Sequence, residues 1–398
     1  MLKELAVGVA LAPVVTGAYA YVGYPALLSI LARRSRGAAP GAATELPTLS
    51  VVIPVYNEER VIADTLEHVL SLDYPRDRLQ VLVVSDASTD GTDEIARSFA
   101  GRGVELLRVS PRRGKTAAEN AAGAAVRGDI VVNVDATIRL PRHALRAIVQ
   151  PFADPTVGVA SGRDVTVGNA AAQVNRGEGT YTGYEMRVRA LETRLHSIVG
   201  ASGCFFATRH ALYRLPFPEH LSRDFGSALV ARAHGFRAVS VEDAVCFVPC
   251  TTSLHVERRR KVRTMTRGLG TLWYMRRLLN PARYGVFAWM LFSHKLARWT
   301  VTLSAPFALG AVGVLAVLPN AGWAGLAARW IGAGAIALML AGWAGFAASA
   351  HRPVPRLVAM PAFVVASVAA GVQAWFQWLS GREKPLWEPT RRTQIRSA

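Results

Sequence analysis

Between residues 49 and 135 the chain repeats one pattern, a short β-branched run followed by a stretch with the apolar spacing of a helix. The runs are "LSVVIPV" (49–55), "LQVLVVS" (79–85), "VELLRV" (104–109) and "DIVVNVD" (129–135). Between them, "EERVIADTLEHVLSL" (58–72), "DEIARSFAG" and "KTAAENAAGAAVRG" read as helices. That alternation predicts βαβ units and an α/β domain built on a parallel sheet. In such sheets ligands bind beyond the carboxyl ends of the strands. Glu58, Asp86 and Asp135 stand at or just past three of those ends, so three carboxylates are expected to converge on one crevice.

Long apolar segments flank this region. A chain of 398 residues, 51% apolar with mean hydropathy +0.22, has room for one domain of about 200–250 residues plus several membrane spans. Leu5 to Ala32 is apolar enough to cross a bilayer. "AYA" (18–20) imitates a signal-peptidase site, but the apolar stretch runs past it and stops at "RRSRG". This is a signal-anchor pattern with its basic flank on the cytoplasmic side. The expected organisation is a membrane anchor over 1–36, a cytoplasmic domain over 37–280 and an interfacial and transmembrane region over 281–398. In that last region "FAWMLFSHKLARW" (287–299) carries His294, Lys295 and Arg298, which suits an interfacial helix whose bases snorkel. Further apolar segments cover roughly 300–318, 325–349 and 355–379. One N-terminal and three C-terminal spans would leave the tail "RRTQIR" outside, against the positive-inside rule. Either the last segment, with Gln373, Gln377 and two Trp, is re-entrant or interfacial, or 284–318 crosses differently; the sequence leaves both open.

The formal charge of +18 raises the question of nucleic acid. Its arginine clusters lie beside apolar runs, and RNA-binding aromatic signatures are missing. The charge is read first as membrane-surface charge and second as phosphate contacts, with membrane lipids and not nucleic acid as partners. Three cysteines make no disulfide framework, and Cys204, Cys246 and Cys250 lack a convincing fourth metal ligand, so free thiols are expected. "RRGKT" (112–116) imitates the end of a P-loop, but Val109 stands where that loop needs glycine. Lys115 remains placed to meet phosphate as a lone cation. In "VVSDASTDGT" (83–92), Ser88 to Gly91 make a turn, with Asp90 as a helix cap.

Taken together, "VVIPVYNEE", "VVSDASTDGT", "RRGKTAAEN" and "NVDATI" resemble the nucleotide-binding half of family 2 glycosyltransferases, which have the GT-A fold. The resemblance continues through "YEMRVRALETRLHSIVGASGCFFATRHAL", "SRDFGSALVARAHGFRA", "RRRKVRT", "SHKLARW" and "LWEPTRR", about the whole chain, and points to the membrane-embedded branch. It implies that Glu58 and Asp86 grip the base and ribose. Asp135 matches the first Asp of the metal-binding DxD motif, and Asp224 matches the general base. The metal motif departs from the pattern, since it reads Asp135-Ala136-Thr137. The QxxRW motif of processive synthases is also missing. The corresponding "ERRRKVRTMTRG" supplies Arg260 and Arg263 for the diphosphate but no tryptophan platform for a growing glycan.

Elementary chemistry runs parallel to the resemblance. A departing diphosphate has to be stabilised by a hard cation and basic side chains. Mg2+ and Mn2+ borrow oxygen ligands from substrate phosphate, so one or two protein carboxylates suffice. A further carboxylate on the acceptor side takes the hydroxyl proton. One base and no protein nucleophile imply single displacement with inversion. The expected function is therefore an inverting transfer from a nucleotide sugar, UDP-linked, to a glycan or lipid-linked acceptor at the cytoplasmic membrane face. Two rivals are a polyprenyl-phosphate glycosyltransferase and a catalytically silent nucleotide-sugar-binding scaffold of a polysaccharide export assembly.

Overall fold

A computed structural model describes residues 1–34, 45–167, 176–250, 254–319, 322–348 and 356–382. Most of the small-residue linker and the motifs "RRTQIR" and "LWEPTRR" lie outside these residues. Among the described residues, seven strands form one sheet: β1 (Leu49–Val55), β2 (Leu79–Asp86), β3 (Val104–Val109), β4 (Ile130–Val134), β5 (Val157–Val167), β6 (Phe205–Arg209) and β7 (Arg237–Pro249). Their order is β3-β2-β1-β4-β6-β5-β7. The first four are mutually parallel, as the alternation predicts. The full sheet is mixed, because β6 runs antiparallel to both β4 and β5.

Alternate residues divide the sheet's two faces. Val51, Ile53, Val81 and Val83 pack under Ile62, Leu66 and Val69 of α1 (Ile62–Leu70). Val52, Leu82 and Val131 pack against Ala118 and Ala122 of the helix Lys115–Ala122, α3, which follows α2 (Thr92–Ser98). A period of two with both faces covered is what a buried parallel strand requires. Helix α3 stops at Gly123, five residues short of the stretch read as helical. Because β2 and β4 lie on opposite sides of β1, a crevice opens at the carboxyl ends of β1 and β4.

Beyond the sheet, α4 (Arg176–Leu195), α5 (Arg223–Ala233) and α6 (Leu254–Tyr274) carry the chain towards the apolar helices. Among the described residues, four helical segments are long and apolar enough to cross a membrane: Leu2–Arg34, Val286–Val317, Trp323–Ala348 and Met360–Leu379. Tyr24 and Leu28 of the first, Phe287 and Leu291 of the second, Val188 of α4 and Leu229 of α5 share one buried cluster. The α/β domain is therefore seated on the first two spans.

Polar contacts tie the same joint together. The first two spans are each interrupted by one π-helical turn, Tyr19–Gly23 and Phe292–Leu296. The turns face each other, with Tyr19 Oη 2.6 Å from Ser293 Oγ. Such turns re-aim side chains within a helix. Here His294 lies 2.6 Å from Glu192 and 2.7 Å from Glu185, while Arg298 donates to Glu185 at 2.9 Å. His294 and Arg298 are 2% and 4% exposed, so these bases do not snorkel as the sequence suggested. They are instead drawn inward because α4 supplies two carboxylates that would otherwise be buried alone. Burial opposes ionisation of Glu185, yet the charges of His294, Lys295 and Arg298 outweigh it and hold its carboxyl well below the usual range.

Candidate functional site

The loops after β1 and β2 are locked to one another. Asn57 and Ala87 both adopt positive φ, 53° and 57°, a left-handed conformation that non-glycine residues take rarely. Cross-loop bonds offset the cost. Asn57 Oδ1 accepts from the Thr89 amide at 2.8 Å, and the Glu58 amide donates to Thr92 Oγ1 at 2.8 Å. Asp90 accepts from the Thr92 amide at 3.1 Å and the Glu59 amide at 3.2 Å, holding the start of α2.

Asp86 closes β2 with its side chain 1% exposed. Its oxygens accept from the amides of Arg113, at 2.8 Å, and Gly114, at 2.7 Å. Gly114 has φ 98°, which a glycine tolerates without strain, and it delivers Lys115 as the first residue of α3. The Lys115 ammonium lies 2.6 Å from Asp135 Oδ1 and 2.9 Å from the Gly203 carbonyl. Burial works against that charge, but Asp135, Glu119 and Asp224 raise the lysine above its ordinary value. Asp135 itself follows β4 and is fixed by its amide, which donates to the Cys204 carbonyl at 3.0 Å.

Asp224 lies in the first turn of α5, behind Ser222 at the N-cap. Its Oδ1 accepts from the Phe225 amide at 2.8 Å and from the Ser222 hydroxyl. Its Oδ2 faces Gly203 so closely that a β-carbon there would stand 2.7 Å away. Gly203→Ala should therefore push the carboxylate aside, lowering transfer by about tenfold or more while leaving the melting temperature nearly unchanged. A Gly203→Ala protein with wild-type transfer would show that the Asp224 position is not critical. The neighbouring Arg223 turns inward, to Asn120 and the Tyr213 carbonyl. Thr116 of α3 holds the Leu221 carbonyl at 2.9 Å, and Thr271 of α6 receives the Ser222 amide at 3.0 Å. The approach to Asp224 is thus clamped by α3 and α6 together.

A cavity of about 610 Å³ brings Glu58, Lys115, Asp135, Asp224, Arg260 and Arg263 together. Asp86 does not line it; its two oxygens hold the turn that presents Lys115. Arg260 reaches the cavity while bonded twice to Glu257, at 2.8 Å each. Thr137 lines the cavity beside Asp135. Among the described residues no group of three or more His, Cys, Asp or Glu is arranged to hold a metal ion. An ion at Asp135 would have to share its ligands with a bound phosphate, as hard divalent cations do.

Sequence reasoning missed Glu119, one helical turn from Lys115 in "KTAAE". It is 2% exposed and also lines the cavity. Burial pushes its carboxyl up to about 7, against the pull of Lys115 and Arg223. A carboxylate whose pKa is raised from 4.5 on folding binds more protons folded than unfolded. Its contribution therefore erodes stability as pH rises from about 4.5 to about 7. Glu119→Gln should flatten that part of a melting-temperature profile; a profile parallel to wild type would contradict the assignment.

A seven-stranded mixed sheet with its crevice at a strand-order reversal, set on apolar helices, defines an α/β protein with candidate membrane spans. The sequence profile described as "Glycosyl transferase family 2" matches residues 50–215. An N-acetylglucosaminyltransferase of Bradyrhizobium elkanii is 30% identical over 126 residues, 31% of this chain and 69% of that protein. The chain belongs to glycosyl transferase family 2. A β-monoglucosyldiacylglycerol synthase of Synechocystis is 32% identical over 161 residues, 39% of this chain and 33% of that protein. A solved mannosyltransferase of Pyrobaculum calidifontis, in complex with GDP-Man and Mn2+, superposes with a TM-score of 0.71 at 24% identity. That likeness covers 96% of this chain and 100% of that one, and speaks to the fold. The first curated relatives are matched over only 23% to 58% of their own lengths.

Proposed function

We propose that the protein is a membrane-anchored inverting glycosyltransferase that moves a sugar from a nucleotide donor, UDP-linked, to a glycan or lipid-linked acceptor. The observation that carries this reading is the single cavity joining Asp135 and Lys115 to Asp224. Glu58, and Asp86 with the 113–114 amides it holds, form the nucleoside side. Lys115, Arg260 and Arg263 face the diphosphate. Asp135 is the carboxylate for a divalent cation, Mg2+ or Mn2+, which when bound neutralises charge on the leaving diphosphate. The Mn2+ that accompanies GDP-Man in the Pyrobaculum mannosyltransferase supports that choice of ion.

In the reaction the acceptor oxygen forms a bond to the anomeric carbon as the bond to the diphosphate oxygen breaks. The acceptor proton passes to Asp224, and the nucleoside diphosphate leaves carrying the electron pair. Lys115 releases Asp135 and remains beside the departing charge, with Glu119 one turn away as an alternative partner. No covalent intermediate on the protein is needed, so the configuration of the transferred sugar inverts. NMR of the first-formed product should show the opposite anomer from the donor; retention would overturn the mechanism.

The domain over 37–280 lies at the cytoplasmic face, where sugar nucleotides are made. The basic residues after the first span support this orientation. A reporter fused after Gly37 should be active only where it reads the cytoplasm. Activity on the opposite side would remove the reading's access to donor.

A further inference from the structure

The stretch "SHKLARW" (293–299) has no task in the reaction described so far. It belongs to the span Val286–Val317, yet His294, Lys295, Arg298 and Trp299 all line the cavity that holds Asp224. Each of the four is fixed from behind. Glu185 of α4 lies 2.7 Å from His294, and it accepts from Arg298 at 2.9 Å and from Lys295 at 3.4 Å. The other ring nitrogen of His294 lies 2.6 Å from Glu192. Trp299 is backed by α6, where a β-carbon at Gly268 would stand 2.9 Å from its indole. Its carbonyl accepts from Trp375 of the last span at 3.0 Å.

Lys295 and Trp299 meet again on Phe225, the residue after Asp224. The ammonium lies 5.7 Å from the Phe225 ring centroid, within reach of a cation–π contact, and the indole stands edge-on at 5.9 Å. Gly200 closes a third side, since a β-carbon there would be 3.0 Å from the ring and 3.6 Å from Lys295 Cε. The ring therefore has little freedom to turn. Its own backbone amide donates to Asp224 Oδ1 at 2.8 Å. Whatever wedges the ring also holds the peptide that orients the carboxylate.

We infer that Lys295 is a positioning residue for the general base: Glu185 holds its ammonium against Phe225, and the Phe225 amide aims Asp224. The inference rests on the proposed role of Asp224. The contacts Glu185–Lys295–Phe225–Asp224 run from α4 through the second span to α5. Seating the α/β domain on that span is thereby what sets the direction of the base. Lys295 acts through Asp224 and takes no proton itself.

The test uses the full chain in lipid vesicles, with donor affinity and release of nucleoside diphosphate measured on the same preparations. Lys295→Met should slow release by about 10–10²-fold, the cost of a misplaced reacting group, and leave donor affinity unchanged. Lys295→Arg should recover most of the rate, because a guanidinium can meet both the carboxylate and the ring. In an Asp224→Asn background Lys295→Met should cost nothing further, as two residues acting through one step are not additive. A merely structural lysine would not give that result. Phe225→Leu, put through the same cycle, carries the test if melting shows that Lys295→Met does not fold. Wild-type release by Lys295→Met beside a crippled Asp224→Asn would overturn the inference and leave the base reading intact. A full further loss in the double variant would give Lys295 a task independent of Asp224, and weaker donor binding would make it a donor contact; either result overturns the positioning role. Wild-type release by Asp224→Asn would instead overturn the reading of the base.

Discussion

Asp224→Asn should bind sugar nucleotide as tightly as wild type and transfer about 10²–10⁴-fold more slowly. The amide keeps the shape of the carboxylate and can still accept from the Phe225 amide, which lies 2.8 Å from Oδ1. What it loses is the ability to take a proton. Asp224 occupies the first turn of α5, at the positive end of its dipole. Its surroundings are rigid, with Thr116, Thr271 and the inward-turned Arg223 clamping the approach. Donor affinity and transfer rate have to be measured on the same preparations. A parallel loss of both would indicate a damaged fold, and an unchanged transfer rate would remove Asp224 from the chemistry.

Asp135→Ala should abolish the dependence of donor binding on divalent cation and lower transfer by about 10³-fold, the several kcal/mol that metal stabilisation supplies. Thr137 stands where a second carboxylate could have shared the work, and a neutral hydroxyl is a weak substitute for it. The substitution also removes the partner of Lys115, whose ammonium lies 2.6 Å from Asp135. Glu119, a turn away on α3, remains to receive that charge, so the fold should persist. Isothermal titration with donor, with and without Mn2+, reads the effect directly. Unchanged metal dependence would place the ion elsewhere.

The first four strands were legible because β1, β2 and β4 are apolar runs rich in β-branched residues, and β3, although an edge strand, continues the same alternation with helices. The later strands were not. In β7, "RAVSVEDAVCFVP", charged residues interrupt the apolar pattern because this strand lies at the sheet's edge, beside β5. Strand β6 is only five residues long, and its antiparallel direction depends on pairing with distant β4, which no local pattern announces. At the site, Glu58, Asp86 and Asp135 could be read from their positions at strand ends, while Asp224, Arg260 and Arg263 came from the family resemblance; six of the seven candidates share the cavity. Asp86 is the exception, because both of its oxygens are taken by backbone amides twenty-seven and twenty-eight residues away. The inward path of His294 and Arg298 was hidden for a similar reason. Their partners Glu185 and Glu192 lie more than a hundred residues earlier, so an apolar stretch with bases read as interfacial.

The most direct measurement is release of nucleoside diphosphate from a panel of sugar nucleotides by the purified full chain in lipid vesicles, with Mg2+ or Mn2+ and with chelator. At least one donor should yield nucleoside diphosphate in an ion-dependent way, and Asp224→Asn should suppress that release while still binding the donor. If wild type binds sugar nucleotides but releases no nucleoside diphosphate from any of them, with any lipid acceptor supplied, the protein is a binding scaffold and not a transferase.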